Sequence, residues 1–261
     1  MAEHLPPGFR PSTLEERRAF YRSRFRAGLA WGWVRELFDR PVFAVKIAGR
    51  TDIYDPRFRD LVERNVKAVY ISSVRSPEDL RRKALFYAPE GIYYWRNRVL
   101  DYGRCRRCPH KRERKCLLCF SCPNFLGQEL VFDVDPENFC RGRFRDFTSF
   151  TLDCFYKARD AAVEIYESME EQYSDVRAVF SGRGFHIHVL DEDAWRLSPE
   201  ERKELVEGFR GADPWVTRGE AALIRLPYSL NAVVNKEVTP LTKKELEEFS
   251  VNRYHSSSSY S

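Results

Sequence analysis

The sequence lacks any apolar run approaching the roughly 18 residues that a membrane-spanning helix needs. Its first residues, MAEHLPPGFRP, lack the basic and apolar regions of a secretory signal peptide. It also carries no internal repeat. These absences predict an intracellular protein with no membrane partner.

With 261 residues, of which 43% are hydrophobic, the chain is long enough to bury one sizeable core. We therefore expect one catalytic domain over residues 1–250 and a disordered, low-complexity tail over 251–261. The net charge is only +5, but the Lys and Arg residues are clustered, notably at Arg24–Arg26 and Arg104–Arg107. Such clusters favour an anionic partner.

The segment ELVFDVD, residues Glu129–Asp135, places two carboxylates after an apolar strand. Because side chains two apart in a strand point to the same face, Asp133 and Asp135 are expected to project together. Two carboxylates held that close repel unless they share a cation, and their oxygens suit Mg²⁺ or Mn²⁺. The alternative interpretation is a solvated strand end that runs into a turn at Pro136.

Five of the seven cysteines lie between residues 105 and 122, in CRRCPHKRERKCLLCFSC. In an intracellular chain this density argues for metal before disulfides. Two CxxC turns supply the four soft ligands of a structural Zn²⁺, which would fold an inserted knuckle over residues 103–124. The predicted ligands are Cys105, Cys108, Cys116 and Cys119, with Cys122 or His110 as alternates. The alternative is a set of reduced surface cysteines.

Periodicity predicts the main elements. Apolar spacing indicates helices over Leu14–Phe38 and Phe147–Tyr173, and the β-branched segments Arg40–Ile47 and Val66–Ser72 indicate strands. The helix over Phe147–Tyr173 should cover a sheet with an apolar face. The core positions expected on this face are Leu152, Phe155, Ala158, Ala162, Ile165 and Met169.

The segment VRAVFSGRGFHIHVL predicts two strands joined by a Ser-Gly-Arg-Gly turn. Glycine permits close backbone approach to a phosphate, and the side chains of Ser181 and Arg183 can bind its oxygens. His186 and His188 are two apart and should face one side. By itself, this pattern is equally typical of an ordinary β-turn.

Further along, Asp213 precedes Pro214, and Arg225 lies in a strand-like segment. An isolated Asp-Pro is also typical of a helix cap or a turn. Arg225 has its own alternative, as a strand residue paired with a nearby acid such as Glu220.

Taken in order, ELVFDVD, SGRGFHIHV and DPWVTRGEAALIRLPYSLN, with a cysteine knuckle nearby, resemble the catalytic small subunit of archaeal and eukaryotic DNA primases. The resemblance spans most of the chain, from Arg40 to Phe249. Asp213 stands 12 residues before Arg225 and 18 before Asn231, the spacing that separates the family's third aspartate from a basic residue and a histidine.

The resemblance implies an α/β (α+β) fold, a primase-type catalytic core with a mixed or antiparallel central sheet flanked by helices. It implies that the catalytic, metal-binding residues are Asp133, Asp135 and Asp213. It implies that the nucleotide-binding residues are Ser181, Arg183, His186, Arg225 and Asn231. Asn231 stands where the family usually has histidine, and the knuckle precedes the paired aspartates instead of following them.

The activity that the resemblance implies is synthesis of primers on single-stranded DNA from nucleoside triphosphates, by a two-metal mechanism with Mg²⁺ or Mn²⁺. The expected setting is DNA replication, in the cytoplasm and at the nucleoid if the source is prokaryotic, with a primase large subunit as a further partner. Three alternatives stay open at this point: the same chemistry in repair or end-filling, a non-catalytic zinc-bearing nucleic-acid-binding subunit, and a two-metal nuclease.

Overall fold

The computed structural model describes residues 5–66, 68–71, 74–106, 108, 117–141 and 149–251, with only the backbone of Arg106. No helix within these ranges is long and apolar enough to cross a membrane. Val251, which the sequence assigns to the tail, is buried. The rest of that predicted tail lies outside the described residues, as do Cys116 and His110 of the predicted knuckle.

The described residues form helices and strands that are interspersed along the chain. The α-helices are α1 Leu14–Ala19, α2 Ala27–Leu37, α3 Arg59–Glu63, α4 Pro77–Tyr87, α5 Tyr102–Arg106, α6 Leu117–Phe120, α7 Leu152–Glu170, α8 Glu192–Arg196, α9 Pro199–Glu207, α10 Pro214–Thr217 and α11 Lys243–Glu247. The strands are β1 Phe43–Lys46, β2 Val69–Ile71, β3 Gly91–Trp95, β4 Asn97–Val99, β5 Phe125–Gln128, β6 Leu130–Val134, β7 Val176–Phe180, β8 Phe185–Val189, β9 Leu223–Arg225, β10 Leu230–Asn231, β11 Lys236–Glu237 and β12 Thr239–Leu241.

Two antiparallel sheets of four strands organise the described residues. One has the order β2-β1-β3-β9, and the other has the order β12-β7-β8-β6. Two short antiparallel pairs, β4 with β5 and β10 with β11, complete the strands. The predicted α/β class, with antiparallel strands and flanking helices, is therefore confirmed.

Alternation along β6 separates the core from the site. Leu130, Phe132 and Val134 belong to a core cluster that also contains the buried face of α7. Val131 belongs to the other cluster, which joins this sheet to the first sheet and to α2. Because Asp133 is two residues from Val131, its side chain faces the first sheet and not α7.

The helix α7 buries its predicted apolar stripe with one exception. Phe155, Ala162 and Met169 are among its fully buried residues, whereas Leu152 at its first turn is 36% exposed. Thr151 caps this helix by accepting a hydrogen bond from the backbone N–H of Cys154. The helix therefore begins later than predicted, and its first residue lies outside the core.

The prediction of a single helix over Leu14–Phe38 is wrong, because a turn of π-helix at Phe20–Arg24 separates α1 from α2. The backbone N–H of Phe25 donates to Phe20 O at 2.9 Å, five residues back. Phe20, Tyr21 and Phe25 are all buried and in ring contact. An uninterrupted α-helix would turn Phe20 and Phe25 to different sides, so burial of both rings favours the wider turn.

The expectation that the cysteines serve metal and not disulfides is wrong for two of the seven. Cys140 and Cys154 form a disulfide with a Cα–Cα separation of 5.5 Å. It joins the segment after β6 to α7. Cysteine count and spacing could not show this, because the pairing depends on how α7 packs against that segment.

Candidate active site

The paired aspartates lie at the end of β6, beside the two strands that carry the Ser-Gly-Arg-Gly turn. Asp133 is opposite His186 in the register of β6 and β8. Asp133 Oδ1 lies 3.4 Å from His186 Nε2, without hydrogen-bond geometry, and is otherwise buried without a hydrogen-bond partner. Asp133 and His186 therefore lie on strands, as predicted, and their side chains face each other. Asp135 follows the last residue of β6.

Asp213 joins this site through the backbone. Its N–H donates to Asp133 O at 2.8 Å, next to a bridge between Val134 and Ala212. Its Oδ1 accepts a hydrogen bond from Trp215 N at 2.8 Å and caps α10. The alternative interpretation of Asp213 as a helix cap is therefore also confirmed. The same residue caps a helix and brings a third carboxylate to the pair.

The charges of the three aspartates are unequal. Burial, followed by the charges of Asp133 and Asp135, raises the pKa of Asp213 to about 6. Burial also raises the pKa of Asp135 above its usual value, and the charge of Asp133 adds to this. For Asp133, burial is outweighed by His186 and Arg183, so its pKa lies below the usual value. Asp133 is thus the aspartate whose neighbours most favour ionisation.

The Ser-Gly-Arg-Gly turn has a closed geometry that requires two glycines. Ser181 N donates to Gly184 O at 2.9 Å, and Gly184 N donates to Ser181 Oγ at 3.1 Å. Gly182 has φ +91°, and a Cβ there would lie 2.6 Å from Asn231 Cβ. A Cβ on Gly184 would lie 2.6 Å from Asp135 Oδ1. The turn therefore packs directly against the aspartates.

Asn231 holds this turn in place. Its Nδ2 donates to Ser181 O at 2.9 Å, while its Oδ1 is buried without a hydrogen-bond partner. The residue is 3% exposed. In this arrangement the side chain of Asn231 binds the backbone of the turn.

Arg183 lies against the carboxylates and not in solvent. Its Nη2 donates to Asp135 Oδ2 and is 2.9 Å from Glu137 Oε1. Burial disfavours its charge, but Asp135 and Glu137 outweigh this and raise its pKa. Burial, then the charge of Asp135, raises the pKa of Glu137 to about 7. Sequence reasoning missed Glu137, because it lies on a 3₁₀ turn after β6, where the alternation that pairs Asp133 with Asp135 no longer applies.

Arg225 lies across the site on β9. It is paired in register with Tyr93 on β3, and its guanidinium is 4.9 Å from the Tyr93 ring centre. Its Nη1 is buried without a hydrogen-bond partner, and a Cβ on Gly91 would lie 2.4 Å from that atom. Glu220 is 3.6 Å from Arg218, so the acid that the alternative interpretation assigned to Arg225 pairs elsewhere.

Arg50, in the loop after β1, is a second residue that the sequence did not indicate. Burial, and then the charge of Arg183, lowers the pKa of Arg50. Its charge in turn opposes the rise in the pKa of Asp135. Arg50, Arg183 and Arg225 therefore form one cationic group beside the carboxylates.

A fully buried network lies behind His186. His188 Nδ1 is 2.7 Å from Glu129 Oε1, and Tyr94 Oη donates to the same carboxylate at 2.9 Å. Trp33 Nε1 is 3.3 Å from Tyr94 Oη, and the His186 and His188 rings are 5.8 Å apart. Glu129 and His188 are both 0% exposed. The two sheets are thus joined by polar contacts directly behind the site.

The acidic side chains of the site do not form a ready-made metal cluster. In the described part of the chain, no three His, Cys, Asp or Glu side chains surround a common point closely enough to hold an ion. Asp135 faces Arg183, and Asp133 faces His186. The chemistry of the donor atoms nevertheless fits a divalent ion. The charges of Asp133 and Asp135 act on Asp213, so the three carboxylates are close enough to repel, and Asp133 Oδ1 accepts no hydrogen bond.

The described cysteines form two tight turns. Cys108 N donates to Cys105 O at 3.2 Å, and Cys122 N donates to Cys119 O at 2.9 Å. Burial raises the pKa of Cys105, and the charges of the other three described thiols add to the rise. The four described thiols therefore influence one another electrostatically, but no three of them surround a common point that could hold an ion. Cys116 and His110, the other predicted ligands, lie outside the described residues.

Residues 132–219, which hold the three aspartates and the turn, match the family model for the DNA primase small subunit. An uncharacterized DNA primase small subunit-like protein of Archaeoglobus fulgidus is 41% identical over 264 residues, which cover 95% of this chain and 91% of that protein. The DNA primase small subunit PriS of Pyrobaculum calidifontis is 32% identical over 142 residues, 52% of this chain and 41% of that protein.

A solved structure has a similar fold. It is the polymerase domain of Ligase D from Mycobacterium tuberculosis in complex with DNA, with a TM-score of 0.50 and 15% sequence identity. The match covers 90% of this chain and 83% of that chain. At this identity the likeness concerns the fold alone.

Proposed function

Because the chain belongs to the DNA primase small subunit family, we propose that it is a template-directed nucleotidyltransferase that synthesises primers on single-stranded DNA. The observation that carries this proposal is the convergence of Asp133, Asp135 and Asp213 beside a group of arginines. A cluster of carboxylates next to fixed cations suits a reaction between metal ions and a polyphosphate.

In this proposal Asp133, Asp135 and Asp213 hold two divalent ions, Mg²⁺ or Mn²⁺. When bound, such ions activate the attacking 3′-hydroxyl and stabilise the charge of the leaving pyrophosphate. Asp133 is ready for this role, since its neighbours keep its pKa low and its Oδ1 has no hydrogen-bond donor. Asp213 must lose its proton, which its pKa of about 6 allows at neutral pH.

The cationic group of Arg50, Arg183 and Arg225 then receives the triphosphate. Arg225 supports this assignment most directly, because its Nη1 is buried without a partner while its plane is fixed against Tyr93. Guanidinium groups held in place beforehand bind phosphate oxygens without further ordering. His186 and Ser181 complete the nucleotide site, and Asn231 keeps the turn of Ser181 closed.

We also propose one structural Zn²⁺ in the cysteine segment. The proposed site draws on two CxxC turns, Cys105 with Cys108 and Cys119 with Cys122. Their four thiols do not already surround a common point, so binding would have to bring the two turns together. This ligand set uses Cys122, one of the two alternates predicted from the sequence. Cys116 and His110 remain alternative ligands. Four thiolates leave no position for water, so the zinc has no part in the reaction.

The proposed partners are single-stranded DNA, nucleoside triphosphates and a primase large subunit, in DNA replication. The same chemistry on a pre-existing 3′ end would serve repair or end-filling. The two roles differ in one step, since only a primase must hold two nucleotides and join them without a primer.

The deciding experiment incubates the purified protein with single-stranded DNA, labelled nucleotides and Mn²⁺ or Mg²⁺, with and without a primer. We expect labelled oligonucleotides in the reaction without primer. Asp133→Asn should abolish them, and Asp193→Asn, at an exposed carboxylate on α8, should not. Synthesis only from a primer would replace the replication role by end-filling. No synthesis in either reaction would overturn the proposed function.

A further inference from the structure

Arg183 occupies a position between two carboxylates. Its Nη2 contacts Asp135 Oδ2 and lies 2.9 Å from Glu137 Oε1. The Arg183 side chain is 9% exposed and both carboxylates are 19% exposed. The guanidinium therefore binds one of the proposed metal-binding aspartates, together with a carboxylate to which no role has been assigned.

The backbone fixes Glu137 in this position. Pro136–Asn138 forms one turn of 3₁₀-helix directly after β6, and Asn138 N donates to Asp135 O at 3.1 Å. Asn138 Nδ2 donates to Gly211 O at 2.9 Å, which ties the turn to the segment that leads to Asp213. Glu137 Oε2 is buried without a hydrogen-bond partner. A buried, half-satisfied carboxylate on an anchored turn needs a cation beside it.

We propose that Arg183 neutralises the carboxylates of the metal site in the ligand-free protein. Glu137 is the positioning residue that keeps Arg183 at the site when a divalent ion binds Asp135. The proposal rests on the proposed function. A guanidinium and a divalent cation on the same carboxylate repel each other, so ion binding at Asp135 disfavours its contact with Arg183. Glu137 Oε1 offers the displaced group a second acceptor within 2.9 Å.

Arg183 and divalent ions therefore compete for Asp135 before the nucleotide arrives. Replacing Arg183 by an uncharged side chain of similar length removes the competitor and should tighten ion binding. Replacing Glu137 by Gln has the opposite effect, because Arg183 then loses one of its two carboxylate ion pairs and is held more strongly at Asp135. The influence of Glu137 passes mainly through Arg183, so the two changes should not be additive.

The test is a double-mutant cycle on the full chain without nucleotide, with Mn²⁺ binding measured by electron paramagnetic resonance of the free ion. Arg183→Met should lower the Kd for Mn²⁺ by about fivefold, the fold-change that corresponds to an ion pair worth about 1 kcal/mol. Arg183→Lys, which keeps the charge, should lower it less. Glu137→Gln should raise the Kd by about threefold when Arg183 is present, and by clearly less when it is combined with Arg183→Met.

Glu200→Gln is the matched control, since Glu200 is an exposed glutamate on α9. It should leave the titration unchanged. Three results would overturn the inference: a Kd that Arg183→Met leaves unchanged or raises, an equal effect of Glu137→Gln in both backgrounds, or no measurable binding by any protein of the cycle. Circular dichroism of each variant identifies any that do not fold, and Arg183→Gln, which is also uncharged, then replaces Arg183→Met in the cycle.

Asp133→Asn separates this inference from the proposed function. If Asp133→Asn leaves Mn²⁺ binding unchanged, the metal site itself is misassigned and the proposed function fails with it. If Asp133→Asn removes Mn²⁺ binding but the Glu137 and Arg183 effects are additive, only the role of Glu137 fails.

Discussion

The backbone N–H of Asp213 donates a hydrogen bond to the carbonyl oxygen of Asp133 at 2.8 Å. The third carboxylate is therefore positioned by main-chain atoms, and its side chain needs only the bond from Trp215 N to hold its orientation. An amide at position 213 can accept that bond equally well. The charge of Asp213 can thus be removed without loss of the cap or of the backbone contact.

We expect Asp213→Asn to abolish nucleotide incorporation while the protein keeps its stability or gains some. The reason is that the charges of Asp133 and Asp135 oppose ionisation of Asp213, so a neutral side chain relieves repulsion. Thermal unfolding and incorporation are measured on the same preparation, with Asp193→Asn as control. Incorporation near the wild-type rate would remove Asp213 from the metal site.

The pH dependence of stability should report the same repulsion. The pKa of Asp213 is raised from 3.8 to about 6 in the folded protein. The stability that protonated Asp213 contributes is therefore fully present below its pKa in the unfolded chain, and it is lost as pH rises through about 6. In metal-free protein, the stability of Asp213→Asn relative to wild type should therefore increase between about pH 4 and 6 and then level off. Urea unfolding with a chelator present measures this, and a difference that does not change with pH would contradict it.

Local patterns predicted the positions of the site residues well. The pattern ELVFDVD correctly predicted the strand that carries Asp133, and the glycines of the Ser-Gly-Arg-Gly turn are needed because Asn231 and Asp135 leave no room for a Cβ. The capping Ser76 and Thr242 mark the beginnings of α4 and α11 for the same local reason. The strand and the helix caps are decided by residues close in sequence, whereas the need for both glycines arises from Asn231 and Asp135, which are distant in sequence.

Features that depend on packing between distant segments were not predictable. The π-helical turn follows from the burial of Phe20 and Phe25 together, and the disulfide follows from the approach of Cys154 to Cys140. Glu137 lies beyond the alternation of β6, on a turn whose direction is set by Asn138 and Gly211. No spacing rule within one segment contains that information.

Metal analysis tests the cysteine segment. We expect about one equivalent of Zn²⁺ per chain after purification without added zinc, because two CxxC turns lie close enough to affect each other's charge. Cys105→Ser and Cys119→Ser should each lose the metal and lower the unfolding temperature. Cys122→Ser compared with His110→Ala shows which residue completes the site. Freely titratable thiols in metal-free, fully folded protein would exclude the knuckle.

The buried network predicts a large loss of stability for Glu129→Gln. Glu129 accepts from Tyr94 Oη and contacts His188 Nδ1, with no solvent to replace either partner. Replacing a fully buried carboxylate that accepts hydrogen bonds leaves a buried donor poorly paired, which costs about 1 to 3 kcal/mol. Urea unfolding should show this loss, and exposed Glu200→Gln should change the free energy of unfolding little. A small effect at Glu129 would mean that His188 and Tyr94 find other partners.

Arg225 provides the sharpest test of the nucleotide site. A charge-assisted bond to a phosphate oxygen is worth about 1.5 to 3 kcal/mol, so Arg225→Ala should lower kcat/KM for the nucleotide by about 10- to 100-fold. Template binding should change little. The matched control is Arg159→Ala on α7, because Arg159 is also stacked on a tyrosine, with its guanidinium 5.1 Å from the Tyr156 ring centre.

The two variants lose the same kind of stacking contact, so a comparable fall in thermal stability is expected for both. Only Arg225→Ala should also raise the KM for nucleotide, since only Arg225 has a buried, unpartnered Nη1 beside the carboxylates. If Arg225→Ala lowered stability alone and left the KM for nucleotide at the wild-type value, Arg225 would be a packing residue of β9. The phosphate contact would then have to come from Arg50 and Arg183, whose charges act on Asp135 in the ligand-free protein.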